Sequence, residues 1–149
     1  MHFVVAMDGS EQSERALAHA IDVGQPADAT ISVVYAVDPA VHDEGGDEPN
    51  GDVGDVNDRL IIEDVEDEEK RGAEVLEDAA TFAAEYGIEV ETELLYGNPV
   101  EQVADYAESI DADGIFVGHR GLSERAERVL GSTSKGVVER SAVPVTVVR

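Results

Sequence analysis

The chain has 149 residues and no cysteine, which excludes disulfides, thiolate metal sites and a cysteine nucleophile. Its 34 acidic residues outnumber 10 basic residues and give a net charge of −24, which disfavours nucleic acid or an anionic membrane as a partner. The acids are spread along the whole chain and lysines are few, so the composition predicts a halophilic protein that folds in high salt.

The first half of the chain predicts a β-α-β unit. An apolar run over 2–7 is typical of a strand buried on both faces, and Ser10 is a suitable N-cap for a helix over about 11–23. The β-branched stretch Thr30–Val37 predicts a second, parallel strand. Residues 39–58 are acidic and glycine-rich, which predicts a flexible loop. A calcium-binding loop is the alternative, but the aspartates lack the spacing of an EF-hand loop.

The second half continues the alternation of helices and strands. A long helix is predicted from about 56 to 86 and ends at Gly87, although its acid-dense part, 63–70, could instead be a solvated stretch. A strand over 88–94 alternates apolar residues with glutamates, which suggests a sheet edge. The remaining predicted elements are a helix from Asn98 and Pro99, a strand at 115–117, a helix over about 132–140 and a final strand, Val143–Val148.

This order predicts an α/β fold: an open five-stranded parallel sheet with helices on both faces, of Rossmann-like type. Such sheets bind ligands beyond the carboxyl ends of their strands, at the switch in strand order. Asp8, Ala36 and Gly118 all lie at predicted strand ends. The sequence therefore predicts a ligand site at this edge of the sheet.

A glycine and hydroxyl pattern points to the same place. Gly118 and Gly121 follow the fourth strand, and Gly131 precedes the cluster Ser132-Thr133-Ser134 at a helix start. Glycines let the backbone approach a ligand closely, and a helix start presents N–H groups and hydroxyls to an anion. Each residue alone could equally be a turn glycine or an ordinary helix cap. The set at this spacing favours a phosphate site, while the Walker loop and the Gly-x-Gly-x-x-Gly turn are both absent.

The whole chain resembles the universal stress protein family, in its ATP-binding branch, and its acidity is typical of a halophilic archaeal member. The resemblance is carried by a first strand ending in Asp8, a variable loop after the second strand, the Gly-x2-Gly-x9-Gly-Ser stretch from Gly118, and the final Val-Pro-Val-x-Val-Val strand. It implies an adenine nucleotide alpha hydrolase-like fold, with one domain over 1–149. The implied nucleotide-binding residues are Ala6, Asp8, Ala36, Val117, Gly118, Gly121, Gly131, Ser132, Thr133 and Ser134.

The resemblance also implies a function, a cofactor and a partner. We expect a cytoplasmic regulatory switch of the stress response that binds ATP, or ADP or AMP, with Mg or Mn, and that hydrolyses it slowly or not at all. No catalytic residue and no protein metal ligand are predicted. A homodimer through Val143–Val148 is expected, because this apolar strand needs cover. The alternatives are a dimeric interaction module of the same fold that binds no nucleotide, and an adenylating type of enzyme, for which 149 residues leave little room.

Five of the ten basic residues cluster between 120 and 140, around the predicted phosphate site. A local positive field there would attract an anion that the rest of the surface repels. Pairing of these bases with neighbouring glutamates is the competing interpretation. The five are Arg120, Arg125, Arg128, Lys135 and Arg140.

Overall fold

The computed structural model describes residues 1–38, 54–120 and 130–149, and for residues 54–64 it gives the helical backbone alone. Within these residues, five strands form one sheet and four α-helices cover it. No helix in this part of the chain is long and apolar enough to cross a membrane. The elements are β1 (His2–Ala6), α1 (Glu11–Gly24), β2 (Thr30–Val37), α2 (Gly54–Glu85), β3 (Glu91–Tyr96), α3 (Pro99–Ser109), β4 (Gly114–Gly118), α4 (Ser132–Arg140) and β5 (Val145–Val148).

The sheet is parallel throughout and has the order β3-β2-β1-β4-β5. The chain builds outward from β1 through β2 to β3, and α3 then returns it to β4 on the other side of β1. In register, Phe3 lies between Ile31 of β2 and Gly114 of β4. The predicted fold class is confirmed, and the switch in strand order lies between β1 and β4.

Each face of the sheet has its own core. Phe3 and Val5 of β1 pack with apolar residues of α1 and α2, whereas Val4 packs with residues of α3 and α4. All three are at most 6% exposed. The central strand is therefore apolar in consecutive positions because both of its faces are covered.

The local signals at the helix ends act as predicted. The side chain of Ser10 accepts a hydrogen bond from the N–H of Ser13 at the start of α1, and Asn98 accepts from the N–H of Val100 at the start of α3. Gly87 follows α2 with φ +74°, the left-handed conformation in which glycine is favoured. These short-range interactions fix where three helices begin or end.

The boundaries around α2 and β3 differ from the predictions. The helix begins at Gly54, so the end of the predicted loop is helical, while residues 39–53 lie outside the described residues. The acid-dense stretch 63–70 is part of the same helix rather than a separate solvated segment. Strand β3 is Glu91–Tyr96 rather than 88–94, because its ladder with β2 runs from the pair Ser32 and Glu91 to the pair Val37 and Tyr96. It is an edge strand, as expected.

The last strand is shorter than predicted. Val143 belongs to a turn, because its N–H donates to Oγ of Ser141 at 2.9 Å and its carbonyl accepts from the same hydroxyl at 2.7 Å. Pro144 has no N–H, and its carbonyl accepts from Ile115 of β4 at 2.8 Å. The ladder of β5 therefore covers Val145–Val148 only.

Candidate functional site

A pocket of about 290 Å³ opens at the carboxyl edge of the sheet, where β1, β2 and β4 end beside the N-terminus of α4. It lies over the switch in strand order, where open α/β sheets bind ligands. Gly121 lies outside the described residues, as do Arg125 and Arg128. The other nine residues predicted to bind nucleotide all line the pocket: Ala6, Asp8, Ala36, Val117, Gly118, Gly131, Ser132, Thr133 and Ser134.

The N-terminus of α4 forms one end of the pocket. Gly131 is the N-cap residue of this helix and has no side chain with which to bond the first-turn amides. Its N–H donates to the carbonyl of His119 at 2.9 Å, which ties the helix start to the end of β4. First-turn N–H groups make no hydrogen bond within their helix and lie at the positive end of its dipole. This end of the pocket is therefore suited to an anion.

The hydroxyl groups at the start of α4 have different environments. Ser132 and Thr133 are exposed, whereas Ser134 is buried and its hydroxyl donates to the carbonyl of Gly118. The pattern predicts phosphate contacts for all three residues. Because the Ser134 hydroxyl proton is already bonded to β4, its backbone N–H is the group that can donate to an anion.

Asp8 lines the pocket where β1 ends and also shapes the turn into α1. Its Oδ1 accepts the N–H of Ser10 at 2.8 Å, and Ser10 in turn caps the helix. The carboxylate thus has a capping-type role before α1, and it lines the pocket as well. A carboxylate in this position can accept a hydrogen bond from a ligand amine or hydroxyl.

The sequence pattern misses the contribution of α2 to this end of the pocket. Tyr35, Glu68 and Arg71 all line it. The hydroxyl of Tyr35 donates to Oε1 of Glu68 at 2.9 Å. Burial, and next the bond to Glu68, raise the pKa of Tyr35 to about 12, so this hydroxyl stays protonated at neutral pH. The missed signal is the combination of Glu68 and Arg71 one helical turn apart, which the many acids around them conceal.

Gly118 is required by packing as well as by its place in the pocket. A Cβ built on Gly118 would lie 2.8 Å from the carbonyl carbon of Gln12 and 2.9 Å from its oxygen. These are backbone atoms of α1, which a side-chain rotation cannot move. The sequence interpretation of this glycine, close approach to a ligand, therefore has a second physical cause in the close approach of α1 to β4.

Comparisons with known proteins agree with the fold. The model of the universal stress protein family matches residues 1–149. Universal stress protein YxiE of Bacillus subtilis is 34% identical over 146 residues, covering 98% of this chain and 97% of that protein. Universal stress protein MJ0531 of Methanocaldococcus jannaschii is 32% identical over 150 residues, covering 98% and 80%.

Solved structures show the same architecture. Universal stress protein UspA from Lactobacillus plantarum superposes with a TM-score of 0.83 at 23% identity, covering 100% of this chain and 97% of that chain. A universal stress protein in complex with cAMP superposes with a TM-score of 0.71 at 28% identity, covering 100% and 97%. One from Archaeoglobus fulgidus in complex with dAMP gives 0.65 at 23% identity, covering 100% and 98%. This chain belongs to the universal stress protein family.

Proposed function

We propose that the protein binds an adenine nucleotide, ATP in the first place, in the pocket between β1 and β4. The observation that carries the proposal is the polarity of the pocket. The wall formed by α4 offers its first-turn amides, and the wall formed by the ends of β1 and β2 offers the Asp8 carboxylate and Ala36. A nucleotide has a matching polarity, with an anionic phosphate chain at one end and amine and hydroxyl donors at the other. Structural neighbours bound to cAMP and dAMP support an adenine ligand.

Magnesium or manganese would accompany the phosphates. Within the described residues, no group of three or more His, Cys, Asp or Glu side chains could hold a metal ion. Mg²⁺ is commonly bound through substrate phosphates and water rather than by an all-protein cage. The ion would therefore come with the nucleotide and neutralise part of its charge next to an acidic protein.

The proposed role is a regulatory switch in the stress response, with slow or absent hydrolysis. Asp8 follows β1 and Glu68 lies on α2, whereas the anion end of the pocket is formed by α4. A general base for water must lie within hydrogen-bond reach of the reacting phosphate. We therefore assign these carboxylates to binding. A high-salt cytoplasm is the proposed setting, from the net charge of −24.

Titration calorimetry with Mg-ATP in molar KCl tests the binding proposal. We expect saturable binding of one ATP per chain, and loss of binding in Gly131→Val, because the added side chain would stand at the amides of α4. Gly131 has φ −62° and ψ 155°, a backbone conformation open to any residue, but it is buried, so the variant is used only if its thermal unfolding matches that of the wild type. Ala27→Val, an exposed site remote from the pocket, is the control for the added bulk. Wild-type protein that binds no ATP would contradict the proposal.

We further propose that two copies associate through β5. This strand is an edge of the sheet, and Val145 and Val147 are only half-buried although they pack against the core under α3 and α4. Pairing with a second copy would satisfy the open edge and cover these side chains. Sedimentation velocity in molar KCl should show a dimer mass. A monomer at all concentrations would refute the pairing.

A further inference from the structure

Arg71 places a guanidinium group in a pocket whose other charged lining residues are acidic. Among the described lining residues it is the one lysine or arginine, beside the carboxylates of Asp8, Asp38 and Glu68. A Cβ built on Gly9 would lie 3.9 Å from Nη2 of Arg71. The guanidinium therefore sits next to the turn that follows β1, at the end of the pocket that contains Asp8.

The position of Arg71 is fixed by the packing of α2 on the sheet. The next residue, Gly72, is buried, and a Cβ there would lie 2.6 Å from Cδ1 of Tyr35 and 2.8 Å from Cδ2 of Leu94. The absence of a side chain lets α2 come close to β2 and β3. One turn earlier, Glu68 accepts the hydroxyl of Tyr35. The turn of α2 that carries Glu68 and Arg71 is thus held against Tyr35 of β2 by two contacts, the packing at Gly72 and the hydrogen bond to Glu68.

Within the described part of the chain, Arg71 has no carboxylate partner. Arg15 lies 2.9 Å from a carboxylate oxygen of Glu11, and Arg140 lies 3.6 Å from one of Asp105. Arg71 has no such oxygen within 4.0 Å among the described residues, although acids outnumber bases by 34 to 10 in the chain. The N–H donors of its exposed side chain are thus not held by a described carboxylate and can bond a ligand in the pocket.

The two ends of the pocket lie on opposite faces of the sheet. Residues of α2 pack with Tyr35 on one face, whereas Val137 of α4 packs with Val4 on the other. A nucleotide whose phosphates lie at the amides of α4 would have its base toward α2. In this orientation Arg71 would face the nucleoside rather than the phosphates.

We infer that Arg71 contacts the nucleobase and sets, with Glu68, the base preference of the site. The inference rests on the nucleotide binding proposed above. A guanidinium offers N–H donors to the ring nitrogens of a purine and a flat cationic surface to its face. The Glu68 carboxylate offers an acceptor for an exocyclic amine. The helix α2, and not only the strand ends, thereby recognises the base.

The test compares Arg71→Gln with Arg15→Gln by competition titration in molar KCl, where long-range charge effects are screened. The ligands are adenosine, ATP and inorganic triphosphate. We expect Arg71→Gln to lower the affinities for adenosine and for ATP by the same factor, about tenfold, and to leave the affinity for triphosphate unchanged. Arg15→Gln removes the same charge from α1 outside the pocket and should change none of the three. Arg71→Lys keeps the charge without the planar group and should lower the affinity for adenosine nearly as much as Arg71→Gln does.

The possible outcomes separate this inference from the proposed function. If wild-type protein binds neither ATP nor adenosine, the proposed function fails, and the inference fails with it. If wild-type protein binds ATP and Arg71→Gln weakens triphosphate, or leaves adenosine unchanged, then Arg71 does not contact the base. If wild-type protein binds ATP but not adenosine, an unchanged ATP affinity in Arg71→Gln leads to the same conclusion. Arg71 is exposed, so thermal unfolding of the variant should match that of the wild type.

Discussion

Replacing Gly118 by alanine tests how closely α1 and β4 approach each other at the floor of the pocket. The new Cβ would meet three atoms of Gln12 at 2.8–2.9 Å, two of them backbone atoms. Overpacking of this kind in a tight core costs about 1–3 kcal/mol. A midpoint value of about 2 kcal/mol lowers the Tm of a chain of this length by roughly 4–8 °C.

Gly114, at the other end of the same strand, provides the matched control. A Cβ there would lie 3.5 Å from Cδ1 of Phe3, which is ordinary van der Waals contact. Thermal unfolding of both variants by circular dichroism in molar KCl should therefore show a clear loss for Gly118→Ala and little change for Gly114→Ala. Equal Tm values for the two variants would refute the packing argument for Gly118.

Three further predictions concern pH, salt and turnover. The pKa of Tyr35 is raised from the ordinary tyrosine value of 10.0 to about 12 in the fold, so the folded state keeps a proton that the unfolded chain loses, and stability should fall as pH rises from 10 to 12. Tyr35→Phe should make that fall shallower. The free energy of unfolding is measured by chemical denaturation at several pH values, and an equal decrease with pH in both proteins would count against the assignment. Because the net charge is −24, Tm should rise from about 0.1 M to about 1 M KCl as screening improves; equal values would argue against a halophilic protein. Phosphate release from ATP should be far slower than the typical enzyme rate of about 10 per second, and a rate of that order would overturn the regulatory proposal.

The sequence predicts the fold well because its signals are local and repeated. Ser10, Asn98 and Gly87 mark helix ends through contacts within a few residues of the chain. The alternation of strands and helices then leaves few topologies for a parallel sheet. The starts of β3 and β5 were less predictable, since β-branched residues such as Ile88, Val90 and Val143 precede the point where each ladder begins.

The candidate site was only partly predictable, for a physical reason. The residues at strand ends and at the start of α4 could be found because parallel strands bring their carboxyl ends to one edge. The residues of α2 could not, because their place in the pocket depends on the close approach of Gly72 to Tyr35, a contact between elements 37 residues apart in the chain. The expected phosphate contact of the Ser134 hydroxyl likewise gave no hint that this group bonds the carbonyl of Gly118.

The central claim is that an adenine nucleotide occupies the pocket with its phosphates at α4. A crystal structure of the protein grown with Mg-ATP in high salt tests it most directly. We predict density for the phosphates at the amides of Ser132, Thr133 and Ser134, and for the base between Ala36 and the side chain of Arg71. A nucleotide bound elsewhere on the protein, or one that is bound in this pocket with its phosphates toward α2, would contradict the account.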